Sequence, residues 1–162
     1  MLNISKYCSI IDRCSSMYKN NSFKELEICS SHAPYFFFLI KNPGVTQEEL
    51  SKRLVINKSN VTRSIQYLEE KGYVYRRSDE QDKRINHIYL SAKGEELVPV
   101  IRSKINVFNE EVGEVLSDEE ILILNNLLEK ITKNAVNYVR KEDYISWKWF
   151  LNILSHIWVG WV

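Results

Sequence analysis

Within KSNVTRSIQYLEE, residues 58–70, the side chains of Ser59, Thr62, Arg63 and Gln66 share one side of a helix. Measured from Val61 at about 100° per residue, they fall at roughly 160°, 100°, 200° and 140°. Two hydroxyls, a guanidinium and a carboxamide on one face are hydrogen-bonding groups for base edges and phosphates, arginine matching guanine and glutamine matching adenine. Lys58, in the first turn, suits a phosphate, and Asn60 joins the same candidate set. Glu70 also points outward, but at the far end, where it repels phosphate. The N-terminal half is therefore the part expected to enter a groove. A polar outer face alone is weak evidence, because every amphipathic surface helix has one. Its neighbours in the chain supply the weight.

The helix needs a partner to hold it, and the preceding residues supply one. Thr46 with Glu49 forms a capping box, Val45 can staple onto Leu50, and Leu50 and Leu54 form a buried face. Val55 and Ile56 lead through a turn to Asn57, the expected N-cap of the second helix, with Ile56 stapling onto Val61. Val61, Ile65 and Leu68 point inward, and Gly72 supplies the left-handed residue that ends the helix. Tyr73 to Arg77 then reads as a strand and Ile85 to Leu90 as its partner, with Ile88 and Leu90 on one face. The seven residues between them, SDEQDKR, make a charged tip. A hairpin with such a tip directly after a groove-reading helix is a wing. It adds Arg76, Arg77, Asp82, Lys83 and Arg84 to the candidate DNA contacts.

With these residues, and above all NKSNVTRSIQYLEEKGYVYRR and SDEQDKRINHIYLSAKG, the chain resembles the MarR family of winged helix-turn-helix regulators over about residues 4 to 140. That family's wing carries the pattern D-x-R-D-x-R. Asp79, Asp82 and Arg84 match it, and Gln81 stands where the first arginine would be. The resemblance implies that Arg84 enters the minor groove, with Asp82 orienting it through an ion pair within the wing. It further implies a homodimer sharing a helical bundle, a double-stranded, pseudo-palindromic operator, usually repression and sometimes activation. Release would come from a small-molecule effector or from cysteine oxidation.

Composition agrees with a folded chain of ordinary type: 44% hydrophobic and 27% charged residues, with only three prolines and five glycines in 162 residues. The net charge of +1 conceals a strong asymmetry. From Lys41 to Lys93 eleven Lys and Arg stand against seven Asp and Glu, and from Gly94 onward seven stand against eleven. Phosphate responds to local potential, so a basic middle suits DNA and an acidic C-terminal third should face away from it. MLNISKYCSIIDRC has no long apolar region and no cleavage site for export, which leads to a cytoplasmic expectation. Cys8, Cys14 and Cys29 are odd in number and lack metal-ligand spacing, as expected for reduced thiols. Cys8 and Cys14, about 240° and 9 Å apart on an ideal helix, cannot bridge each other within it. Cys29, His32, Glu25 and Glu27 lie close in sequence, but only three histidines exist, so no metal or other cofactor is expected. Without a nucleophile-base pair or a phosphate-cradling loop, an enzyme is not expected either.

The flanking segments are helical. Ile4 to Asn20 carries Ile4, Tyr7, Cys8, Ile11 and Cys14 as a buried stripe, and Ser31 to Lys41 contains a central helix with Tyr35, Phe36, Phe37 and Phe38 in the core. Asn42, Pro43 and Gly44 form a turn. Ser91 caps a long helix bearing Leu97, Val100, Ile101, Ile105, Phe108 and Val112, with a kink expected at Pro99. Ser117 and Glu120 open another with Ile121, Leu122, Leu124, Leu127, Leu128, Ile131 and Val136 inside. So much apolar surface exceeds what residues 31–90 can cover, and a two-fold dimer is expected.

The chain therefore divides into an N-terminal dimerisation helix (1–30), a winged helix-turn-helix (31–90), C-terminal dimerisation helices (91–141) and an extension (142–162). The fold class is mainly α with a small β-hairpin wing. In the extension Trp147, Trp149, Trp158 and Trp161 make an apolar surface with one formal charge, Lys148, within YISWKWFLNILSHIWVGWV. Packing against the dimer body or a neighbouring dimer is the preferred reading, with membrane-interface contact and a non-native extension as alternatives. Stable membrane insertion is not expected, because 19 residues make a marginal span. A winged helix that binds protein instead of DNA is the competing function, and salt-insensitive binding would favour it.

Overall fold

The computed structural model describes residues 3–139. The Trp-rich extension and its expected packing lie outside the described residues. A first compact unit ends at Phe108 and a second begins at Asn109. Six helices and one hairpin make up the described residues: α1 (Ile4–Ser22), α2 (Ala33–Lys41), α3 (Gln47–Leu54), α4 (Lys58–Glu70), β1 (Val74–Ser78), β2 (Asn86–Leu90), α5 (Ala92–Gly113) and α6 (Asp118–Val139). Two short 3-10 turns, Lys24–Leu26 and Ser30–His32, join α1 to α2.

Local chemistry sets the helix starts. At α3 the Glu49 amide donates to Thr46 Oγ1 at 3.2 Å, and the Thr46 amide donates to Glu49 Oε2 at 2.8 Å. These bonds satisfy two donors that a helix start leaves orphaned. Asn57 caps α4 by accepting the Ser59 amide at 2.9 Å. At the other end of α4 the Tyr73 amide reaches the Leu68 carbonyl and the Gly72 amide reaches that of Glu69, a complete Schellman motif with Gly72 at φ +73°. Thr46→Ala is expected to lower stability by about 1 kcal/mol, read as a shift of the urea midpoint at constant slope.

The core of the first unit forms around α2. Phe36, Phe38, Leu39 and Tyr35 are buried together with Phe23, Leu50, Val61, Ile65, Leu68, Ile88 and Ile101. α2 is thus the central helix its composition requires, with only Ile40 among its large apolar residues exposed. β1 and β2 pair antiparallel, Val74 opposite Leu90 and Ser78 opposite Asn86. A third, one-residue bridge joins Val45 to Ile88 and fastens the residue before α3 to the hairpin. The Val45 carbonyl accepts the Ile88 amide at 2.8 Å, and the Gly44 amide donates to the Ile88 carbonyl at 2.9 Å. Local pattern gave no sign of this bridge, because its halves are far apart in the chain.

Three expectations require correction. The stripe on α1 is not buried within the chain: Tyr7, Cys8, Ile11 and Cys14 are exposed. On α5 the buried residues are Leu97, Val98, Ile101 and Ile105, whereas Val100 and Val112 face solvent. The first half of α5 therefore belongs to the core of the first unit rather than to an uncovered surface. Finally, α6 buries none of its residues, and Ile121, Leu122, Leu124 and Leu127 are all exposed. The physical reason is common to α1 and α6: amphipathic spacing specifies that a face prefers burial but not what buries it. The capping box of α6 is formed as expected, with Ser117 and Glu120 exchanging bonds of 2.9 and 3.3 Å.

Candidate nucleic-acid interface

α4 is held from one side only. Val61, Ile65 and Leu68 have no measurable exposure, while Ser59, Asn60, Thr62, Arg63 and Gln66 are exposed on the remaining surface. Buried apolar groups thus immobilise the backbone and leave the polar row free to meet a ligand. The row is organised by bonds along the helix. Arg63 donates to Asn60 Oδ1, Gln66 Nε2 donates to Glu70 Oε1 at 3.2 Å, and Ser59 Oγ donates to Asn57 Oδ1 at 2.7 Å. The Thr62 hydroxyl lies 3.0 Å from the Lys58 carbonyl and 3.2 Å from Gln47 Oε1, tying α4 to the start of α3. Exposed bonds of this kind are worth about 0.2–0.5 kcal/mol, so they orient the side chains and are readily exchanged for bonds to an incoming ligand. Lys58 is exposed at the N-terminal end, where the helix dipole and its own charge both favour an anion.

The turn into α4 has a feature hidden in the sequence. Val55 adopts φ +56° and ends α3 in the left-handed region, which β-branched residues strongly avoid. Ser51 holds the turn, its hydroxyl donating to the Ile56 carbonyl at 2.7 Å and its carbonyl accepting the Ile56 amide at 3.1 Å.

Lys83 and Arg84 are exposed at the tip of the wing. Asp79 builds the tip by accepting the amides of Gln81 and Asp82 on Oδ1, at 2.8 and 2.9 Å. Those bonds, first the one from Asp82, together with one from His87 hold its carboxyl at about 2, well below the ordinary 3.8. Asp82 acts differently from the expected ion pair. Its carboxylate accepts the Arg84 backbone amide at 3.0 Å, and among the described residues no ion pair joins the two side chains. The carboxylate thereby sets the direction of the chain at Arg84 and leaves the guanidinium unengaged by that carboxylate. Arg77 is exposed and pairs with Glu80 at 3.3 Å. Arg76 is half-buried and pairs with Glu69 of α4 at 2.5 Å, which braces the strand against the helix.

His87 is the residue that sequence reasoning undervalued. Half-buried on β2, it contacts the Gly44 carbonyl through Nδ1 at 2.7 Å and Asp79 Oδ2 through Nε2 at 3.0 Å. The Asp79 carboxylate, and next the Gly44 carbonyl, raise its pKa above the usual histidine value. The separation of 43 residues between His87 and Gly44 left no local signal.

Comparison with known proteins accords with this geometry. A model described as MarR family matches residues 30–85. A MarR transcriptional regulator from Methanosarcina mazei Go1 is 30% identical in sequence, with 83% of this chain and 97% of that one aligned at a TM-score of 0.79. The chain belongs to the MarR family. Its fold is the family's winged helix-turn-helix, and it is a MarR-family transcriptional regulator. The HTH-type transcriptional regulator YybA of Bacillus subtilis (strain 168) is 27% identical over 87% of this chain and 96% of its own length. A MarR family regulator from Listeria monocytogenes, solved in complex with 26mer DNA, is 26% identical over 90% of this chain and 99% of that one, at a TM-score of 0.78. Among the described residues of this MarR-family chain, no helix is long and apolar enough to cross a membrane.

Proposed function

We propose that this MarR-family protein is a homodimeric, sequence-specific DNA-binding repressor. It places α4 in the major groove and the wing in the minor groove of a pseudo-palindromic operator. The observation that carries the reading is the exposed row Ser59, Thr62, Arg63 and Gln66 on a helix whose opposite face is fully buried. The arrangement suits the major groove because bidentate arginine and glutamine side chains discriminate guanine and adenine there. Lys58, Asn60, Arg77 and Lys83 supply phosphate and flanking contacts. Arg84, presented by the Asp82 turn, reaches the minor groove, and Arg76 and Asp82 position the strand and the tip. The solved complex of the Listeria monocytogenes relative with 26mer DNA supports DNA as the partner here.

The uncovered apolar faces support dimerisation. α1 exposes Tyr7, Ile10 and Ile11, and α6 exposes Ile121, Leu124 and Leu127. Faces of this size on a soluble regulator call for a second copy. Ligand binding or thiol oxidation that alters the separation of the two recognition helices would release the operator.

Arg63→Ala is expected to weaken operator binding by about 1–3 kcal/mol and to relax preference at one base pair. Arg84→Ala should weaken binding by about tenfold and flatten its salt dependence. Fluorescence anisotropy on a duplex selected by this protein from random sequence measures both. Unchanged affinity in both variants, with the oligomeric state preserved, would remove these assignments.

A further inference from the structure

We propose that His87 is a positioning residue for DNA binding: as a doubly protonated imidazolium it braces the wing tip against the turn before α3. The inference rests on the proposed contact between wing and DNA. Its basis is donor and acceptor arithmetic at a single ring. Nδ1 faces the Gly44 carbonyl at 2.7 Å, and a carbonyl can only accept. Nε2 faces Asp79 Oδ2 at 3.0 Å. The other carboxylate oxygen, Oδ1, accepts the backbone amides of Asp82 and Gln81, and with the His87 contact these hold the carboxyl at about 2, so Asp79 is ionised at neutral pH.

With Asp79 ionised, both ring nitrogens must donate. A neutral imidazole has one N–H and satisfies one acceptor in either tautomer. Both bonds therefore exist together only in the cation. When the ring gives its proton to solvent, either Asp79 or Gly44 is released.

The position gives that proton its consequence. Asp79 organises the loop that carries Arg84, and Gly44 belongs to the turn that is also bonded to β2 through the Ile88 amide and carbonyl. His87 is the side chain that joins these two parts. The charged groups around it are few. Asp79 of the wing and, more distantly, Glu49 of α3 favour the cation, while Arg77, its cross-strand partner on β1, pairs with Glu80. Because the folded value is raised, the brace is complete at pH below the ordinary histidine range. It is lost as pH rises through the raised value.

Two measurements test this on the full chain. In the absence of DNA, nitrogen NMR of the histidine rings, with His87→Gln for assignment, should show both His87 nitrogens protonated at a pH near 6.5. The midpoint should lie above 6.5, and Asp79→Asn should move it down. For the duplex described above, at constant ionic strength, affinity of the unaltered protein should fall about three- to fivefold as pH rises through that midpoint. His87→Gln should show no such fall and bind throughout near the weaker limit. A midpoint at or below 6.5, or the same pH profile in the protein and in His87→Gln, would overturn the brace. The underlying reading fails separately. If Arg84→Ala leaves DNA binding unchanged while His87 still titrates high, the wing does not contact DNA and the role in DNA binding is overturned with it. If Arg84→Ala weakens binding and His87 is neutral, only the brace is overturned.

Discussion

Gly94→Ala is expected to destabilise the protein by about 3 kcal/mol, the opposite of what helix propensity alone requires. Gly94 lies in the first turn of α5, where alanine would gain up to about 1 kcal/mol from the stiffer backbone. The added Cβ would stand 2.1 Å from the Tyr73 carbonyl oxygen and 3.2 Å from Leu90 Cδ2. The first neighbour is backbone and cannot swing aside. That carbonyl also accepts the Ser91 amide at 3.0 Å, so moving it breaks the junction of hairpin and helix. Steric overlap exceeds propensity, and the sign reverses. Urea unfolding should show a lower midpoint for Gly94→Ala, whereas Gly113→Ala, with nothing within 4 Å of the new atom, should leave it unchanged or higher. Equal midpoints in the two variants would mean that the close approach at Gly94 is not rigid.

Placing lysine at both Leu124 and Leu127 is expected to split the proposed dimer and to lower operator affinity by about two orders of magnitude or more. Both side chains are exposed within the chain, so each monomer should keep its helical content. The loss arises because one half-site contact no longer holds the second nearby at high effective concentration. Light scattering coupled to size exclusion would give the mass, and anisotropy on the selected duplex would give the affinity. A variant that stays dimeric with full affinity would show that the α6 face is not the pairing surface. A monomeric parent protein would overturn the dimer itself.

Much of the candidate interface was legible because its signals are local. Thr46 and Glu49 are three residues apart, Asn57 lies just before its helix, and Gly72 follows just after. Caps act within one turn, so their spacing survives in the linear chain. The inward triad Val61, Ile65 and Leu68 was equally plain, since its period is that of the helix. Val55 was opaque for the opposite reason: its backbone conformation contradicts its residue type, and the turn that contains it is held by the bonds of Ser51 to Ile56.

The chain by itself determined the order of the helices and the hairpin, the capped starts of α3, α4 and α6, the buried side of α4 and the polar row opposite it. Each follows from interactions between residues close in sequence or from the period of apolar side chains. Only the tertiary structure decided that His87 stands between Gly44 and Asp79, that Val45 joins β2, and that Gly94 lies against Tyr73. It also decided that Asp82 holds the Arg84 backbone rather than its guanidinium, and that the stripes of α1 and α6 stay uncovered within one chain. A side chain's type states what bonds it can make, whereas its partner depends on which distant atoms the packed core brings within about 3 Å.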